Sequence, residues 1–267
     1  WTDYDADFLR KAAEDKAAEF GYIEIQNVTT QYGVFAIAGP KSRDVLKELI
    51  KDADPESALS NKRFPWLSAQ RIELGMCPVD AIRVAYTGEL GWELHHPIEM
   101  QRYLWDQLMA AGAKHGLKLV GARAQNWLRQ EKSYRAFGTE LGRDATPLEA
   151  DLPRFVDLSK DFHGKAAMEA TGIRSKCVTV LIDGPADADP WGKEALIDPA
   201  TGAKVGRLTS GGYSVVFGKQ IGMGYVSVEK AEVGTKLKVR MMRELWDAEV
   251  VQDSPYDPAN ANIRVDG

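Results

Sequence analysis

The segment Tyr86-Thr87-Gly88-Glu89-Leu90-Gly91-Trp92-Glu93 sets a phenol and a carboxylate on either side of two glycines. A ring to stack on and an acceptor for paired N–H donors are the groups needed to grip a flat, nitrogen-rich heterocycle. The glycines let a ligand come close to the backbone, since neither carries a Cβ. A plain hairpin with a half-buried tyrosine and a surface glutamate accounts for the same residues at least as well. Spacing alone does not decide. A loop of five or six residues leaves the parity of the hairpin open, and parity sets whether the two side chains converge.

Other candidates carry less. Arg129, Glu131 and Arg135 share one helical stretch, and Glu131 and Arg135 stand i, i+4, the spacing of an ordinary ion pair. Arg129 points elsewhere and offers a planar fork to a carboxylate ligand. His95 and His96 on a strand would face opposite ways and chelate poorly. His115 reads as a helix-end or surface residue, and His163 has no ligand pattern around it, so no metal site is indicated. There is no G-x-S-x-G, and neither Cys77 nor Cys177 has a visible histidine partner, so a hydrolase is unsupported. Gly39-Pro40 lacks the surroundings of a phosphate loop and reads as a turn.

The elements that must hold these residues follow from periodicity. Phe8, Leu9, Ala12, Ala13, Ala17 and Phe20 predict an opening helix stopped by Gly21, with Asp3, Asp5 and Asp7 favouring its N-terminal end. Strands are expected over Ile23 to Val28, Val34 to Ala38 and Ala81 to Ala85. A helix carrying Val45, Leu46, Leu49 and Ile50 should follow Pro40, and Asp52 to Asn61 reads as a surface loop. Further helices are predicted from Pro97 through Ala111 and over Gly121 to Tyr134. From about Cys177 short apolar runs (Val178 to Ile182, Val205 to Leu208, Gly222 to Val228, Lys236 to Met241, Ala248 to Val251) alternate with turn clusters, the pattern of a sandwich or barrel. The predicted division is 1–172 and 173–267.

Composition sets outer bounds. The chain has 267 residues, ordinary globular proportions and a formal net charge of −5. That charge gives no electrostatic case for nucleic acid, and an anionic ligand would need a local basic pocket. No apolar run approaches the roughly 18 residues of a membrane span, and no secretory signal is visible. A cytoplasmic protein with reduced, buried cysteines and no membrane contact is the expectation. The chain begins at Trp1 rather than Met, as a piece of something longer would.

With these residues laid out, the chain resembles the glycine-cleavage T-protein family of tetrahydrofolate-dependent aminomethyltransferases. It is most similar to the C-terminal folate-binding part of dimethylglycine and sarcosine dehydrogenases. The resemblance rests on the Tyr86 to Glu93 segment together with Glu24-Ile25-Gln26-Asn27-Val28-Thr29, Gly39-Pro40, Leu128-Arg129-Gln130-Glu131-Lys132, Thr146-Pro147-Leu148-Glu149-Ala150 and Phe162-His163-Gly164-Lys165. It implies an α+β fold: folate-binding α+β domains followed by a small C-terminal antiparallel β-barrel. It also implies transfer of a one-carbon unit from a methylated-amine-derived iminium to tetrahydrofolate, giving 5,10-methylenetetrahydrofolate. On that resemblance Tyr86 and Glu93 contact the pterin, Arg129 belongs to the folate site, and Phe137 takes an aromatic position where Tyr or Trp is more usual. The family's acid–base carboxylate would lie upstream of Glu24 to Thr29, in a part expected to be missing here, so no catalytic residue is assigned. The flavin-binding oxidase half is absent too, which implies a flavin-dependent oxidoreductase domain or subunit as partner. The same fold serves folate-dependent demethylases of sulfonium or ether donors and catalytically silent folate-binding modules. The iron–sulfur maintenance branch, with its Lys-Gly-Cys motif, is disfavoured because no cysteine stands near Phe162 to Lys165.

Overall fold

The computed structural model describes residues 2–185 and 187–266; Trp1, where the sequence begins, lies outside the described residues. The chain forms two compact units. The first comprises residues 2–37, Arg43–Arg83 and Trp92–Gly116; the second comprises Ala38–Ser42, Val84–Gly91 and residues 117–266.

The first unit is built on a four-stranded sheet of order β1-β4-β3-β2, with β1 at Tyr32–Ala38, β2 at Ala69–Leu74, β3 at Cys77–Ile82 and β4 at Gly91–Pro97. Strands β2, β3 and β4 pair antiparallel, Ile72 opposite Val79 and Ala81 opposite Leu94. Alternation along them puts Leu74, Val79, Ala81, Trp92 and Leu94 on one buried face, as a period of two requires. Trp92 is the centre of that core. Phe64 meets its ring edge-on at 6.2 Å, and Arg83 and Arg43 lie 5.6 and 5.9 Å from the indole centroid. The Arg83 guanidinium donates to the Phe64 carbonyl at 2.6 Å, which fixes the plane of this cation–π contact.

Helices α2 (Ser42–Lys47), α3 (Pro55–Ala58) and α4 (Gln101–Ala113) complete this layer, α4 burying Leu104 and Leu108 at helical spacing. The segment expected to be a surface loop thus contains α3. Pro55 is pre-set for the first helical turn, and Asp54 caps it by accepting from Ser57 N–H. Helix α1 (Thr2–Phe20) forms as predicted and stops at Gly21, whose φ is +78°. The expected strand at Ile23 to Val28 does not form. The Asn27 carboxamide accepts from both the Thr29 N–H and its hydroxyl, and this local turn draws the backbone out of a ladder.

The second unit contains α5 (Ala122–Glu131), α6 (Lys165–Thr171) and a closed barrel. Its strands are β5 (Ser175–Ile182), β6 (Ala195–Ile197), β7 (Lys204–Ser214), β8 (Lys219–Ser227), β9 (Lys236–Met241) and β10 (Glu244–Val251), in the order β10-β5-β8-β7-β6-β9. Val180, Ile182, Leu196, Leu208, Val226, Leu237, Val239 and Val250 fill its interior, each contributing about 1.5–3 kcal/mol by burial. Closure leaves no unpaired edge. Both cysteines are free and buried, and burial in this unit pushes the Cys177 thiol up to about 12.

Helix α5 ends at Glu131, three residues short of the predicted Tyr134. Ser133 turns the chain with a φ of +53°, and the Tyr134 N–H closes back on the Arg129 carbonyl at 2.9 Å. Arg135 therefore lies outside the helix, and the expected Glu131–Arg135 ion pair is absent. Glu131 instead accepts from the Ser214 hydroxyl, while Arg135 pairs with Asp253 at 2.8 Å.

Candidate functional site: the Tyr86 loop and its supports

Strand β3 ends at Ile82, not at Ala85, because Arg83 exchanges backbone hydrogen bonds with Leu67 and Ser68. With Ile82 opposite Glu93 in the β3–β4 ladder, the connection is longer than the five or six residues expected of a tight hairpin. Residues Val84–Gly91 belong to the second unit, where several side chains hold them. The Leu90 carbonyl accepts from Gly39 N–H at 2.8 Å and the Ser42 hydroxyl at 3.1 Å. Glu89 accepts from the Tyr256 phenol at 2.7 Å, and this contact pushes the phenol pKa up to about 12.

Tyr86 is held from two sides. Its hydroxyl donates to the Arg135 carbonyl at 3.1 Å, and its ring stacks on Tyr134 with centroids 5.9 Å apart and planes 23° apart. The ring is still 37% exposed. Burial raises both phenol pKa values, so each stays a neutral donor near neutral pH. Sequence reasoning missed Tyr134; its place two residues after the Leu128 to Lys132 motif is the available signal.

Gly88 explains why the loop needs glycine. Its φ is +80°, and a Cβ there would lie 2.4 Å from Cγ of Lys132. Lys132 has little freedom to yield, because its ammonium donates to the Tyr256 and Asp257 carbonyls at 2.9 and 2.6 Å. Gly88→Ala is expected to destabilise the protein by about 1–3 kcal/mol, read as a lowered urea midpoint.

Glu93 sits on β4 in the first unit, on the same face as His95, whose Nε2 lies 3.3 Å from Glu93 Oε2. Its side chain is 41% exposed, so the carboxylate keeps acceptor capacity for a ligand. His96 points the other way, fully buried and stacked on Phe35 at 4.8 Å. The two histidines do not converge. Among the described residues no group of three His, Cys, Asp or Glu side chains is arranged to hold a metal ion.

Arg129 departs from its expected role. It is 2% exposed, and its guanidinium donates to Asn126, to the Tyr134 carbonyl at 2.8 Å, to Glu140 at 2.8 Å and to Ser210. The fork is already filled by the protein, so it is not open to a carboxylate ligand. Glu140, unnoticed in the sequence, is the centre of this network and also accepts from Thr209, Thr139 and Ala136 N–H. Burial raises its carboxyl pKa, but Arg129 and these donors outweigh that and hold it below the usual range. Arg129 thereby braces the turn that carries Tyr134. Phe137 is 64% exposed and bridges to Leu141.

Thr146-Pro147-Leu148-Glu149 is a reciprocal cap. Thr146 N–H donates to Glu149 Oε2 at 2.9 Å, and Glu149 N–H donates to the Thr146 hydroxyl at 3.2 Å. Arg174 grips both oxygens of the same carboxylate, at 2.9 and 3.1 Å, and lowers its pKa from 4.5 to about 2. A lowered folded-state pKa stabilises the fold above about pH 4.5, and the contribution fades as pH falls toward 2. Arg174→Gln should therefore lower the melting temperature at pH 7 and approach wild type near pH 2.

The chain combines a sheet-based α+β unit, a glycine-bent loop held by tyrosines and a closed antiparallel barrel. The sequence matches the GCVT N-terminal domain over residues 2–160 and the glycine cleavage T-protein C-terminal barrel domain over residues 176–257. The chain belongs to the glycine cleavage T-protein family. It is 39% identical over 264 residues to mouse mitochondrial dimethylglycine dehydrogenase, covering 95% of this chain and 29% of that protein. It is 32% identical over 238 residues to an aminomethyltransferase of Caldanaerobacter subterraneus subsp. tengcongensis, covering 88% of this chain and 61% of that protein. The chain thus spans under a third of the dehydrogenase relative's length and about three fifths of the transferase's. The crystal structure of glycine cleavage system aminomethyltransferase T from Bartonella henselae shares the fold, with a TM-score of 0.71 over 85% of this chain and 60% of that one, at 23% identity.

Proposed function

We propose that this chain is a tetrahydrofolate-dependent one-carbon transfer domain. In this reading it passes a carbon unit from a methylated-amine-derived iminium to tetrahydrofolate, forming 5,10-methylenetetrahydrofolate and releasing the amine. The observation that carries the reading is the build of the Tyr86 loop: a half-exposed ring fixed by Tyr134 and Arg135, beside a glycine that no other residue can replace without strain.

The residues suit a pterin. Tyr86 supplies a ring of the right size to stack on the bicyclic system. Glu93, on its own unit, supplies an open carboxylate for the amino and ring N–H groups, a charge-assisted paired contact. Arg129 acts by positioning Tyr134 and not by touching ligand. Phe137, largely exposed, is assigned to the folate's flank. The relatives named dimethylglycine and sarcosine dehydrogenase support a methylated amine as donor. The oxidation that makes the iminium then belongs to a flavin-dependent partner domain or subunit.

The test is product analysis by mass spectrometry after incubating the protein with tetrahydrofolate and a panel of iminium, sulfonium and aryl-ether donors. Methylenetetrahydrofolate from an iminium, above the uncatalysed rate, is expected. Methyltetrahydrofolate from a sulfonium or ether would replace the reading with a demethylase. No product, despite folate binding, would leave a binding module.

A further inference from the structure

Beyond β10 the chain turns back across the second unit, where residues 253–263 bond to both pieces of chain that carry the stacked tyrosines. The match to the family's barrel domain ends at residue 257, so Pro258 to Ile263 lie past it.

One set of contacts holds the turn that bears Tyr134. Tyr256 N–H donates to the Glu131 carbonyl at 3.0 Å, and Ser254 N–H donates to the Ser133 hydroxyl at 2.9 Å. Asp253 accepts from the Arg135 guanidinium at 2.8 Å, and Lys132 donates to the Tyr256 and Asp257 carbonyls. A further contact reaches the Tyr86 loop: the Tyr256 phenol donates to Glu89 Oε1 at 2.7 Å, three residues along from Tyr86. That phenol is itself aimed. The Asn262 carboxamide donates to its oxygen at 2.7 Å, and a hydroxyl that accepts there keeps its one proton for Glu89. Asn262 is fixed in turn, because the Asp257 carboxylate accepts from the Ala261 and Asn262 N–H groups, both at 2.9 Å, and Ile263 beside it is buried.

Tyr256 thus joins two stretches that are remote in sequence and whose rings lie 5.9 Å apart. A ring pair offers a ligand a ready platform only while its spacing is held; a loop that must be ordered on binding weakens the affinity.

We propose that Tyr256 is a positioning residue for folate: its phenol, aimed by Asn262, holds Glu89 and so fixes the Tyr86 ring against Tyr134. The proposal rests on the folate reading above and deepens it. Tyr256 acts through Glu89 and touches no ligand.

Two measurements on the full chain test it. Amide hydrogen exchange without ligand should show residues 84–91 exchanging faster in Tyr256→Phe than in wild type, with β8 of the barrel unchanged. Unchanged exchange in the loop overturns the proposal, whatever folate does. Calorimetric titration with tetrahydrofolate is the second. Tyr256→Phe keeps the ring and should bind about 10-fold more weakly. Glu89→Leu should lose a similar factor, whereas Glu89→Gln, which retains an acceptor oxygen, should stay near wild type. Glu89→Leu/Tyr256→Phe should bind no more weakly than either single variant, because one interaction is lost in all three. A phenol that serves stability alone would lower the melting temperature and leave the affinities alike, which overturns the positioning role. Losses that multiply in the double variant overturn it too. Wild type binding no tetrahydrofolate removes the folate reading and the positioning role with it; wild-type binding with an unaffected loop strikes the positioning role alone.

Discussion

Arg129→Met is expected to cost about 3–5 kcal/mol of folding free energy, read as a large fall in the urea midpoint. The reason is Glu140. Its side chain is wholly buried, and Arg129 is the cation that faces it, at 2.8 Å. Removing the guanidinium leaves a carboxylate in the interior with hydroxyl and amide donors but no opposite charge. The pH response should change with it. In the wild type Glu140 has a lowered pKa, so its contribution is present above the ordinary carboxylate range and is lost as pH falls through the folded value. In Arg129→Met the carboxyl pKa rises, and the variant should be relatively less handicapped in acid. Arg129→Met/Glu140→Met should recover much of the loss, since removing both partners leaves no buried charge behind. A single variant as stable as wild type would refute the bracing role and return Arg129 to the ligand.

Glu93→Ala is expected to weaken tetrahydrofolate binding roughly 100-fold while leaving the fold intact. Hydrogen bonds to a charged acceptor contribute about 1.5–3 kcal/mol each, and loss of a paired contact of about 3 kcal/mol corresponds to that factor. The fold should tolerate the change because Glu93 is on a half-exposed sheet face, where its side chain meets His95, with Nε2 3.3 Å from Oε2. Glu93→Gln should fall between the two, since the amide keeps one acceptor oxygen and presents an NH₂ where the pterin also donates.

The barrel was legible because its strands alternate against turn clusters, and five of its six strands contain predicted runs. The missing one, β6, has three residues, too few to show a period, yet it is the strand that joins β7 to β9. Ile23 to Val28 has strand composition, but Asn27 offers the backbone a local alternative that hydrophobic pattern does not weigh. Among the candidate residues, Tyr86 and Glu93 were visible as types at a spacing, while burial was not. Arg129 has the chemistry of a ligand fork and the surroundings of an interior strut, and only the fold distinguishes these. Glu140 sits in a polar stretch that reads as surface, although Arg129, Thr209 and Ser210 enclose it from distant parts of the chain.

The central claim is that reduced folate is gripped through the Tyr86 to Glu93 segment. Calorimetric titration of tetrahydrofolate into wild type and Glu93→Ala, with melting temperatures recorded for both, tests it most directly. Saturable wild-type binding, weakened roughly 100-fold in a variant that melts like wild type, is the predicted result. Equal affinity in the two proteins would contradict it.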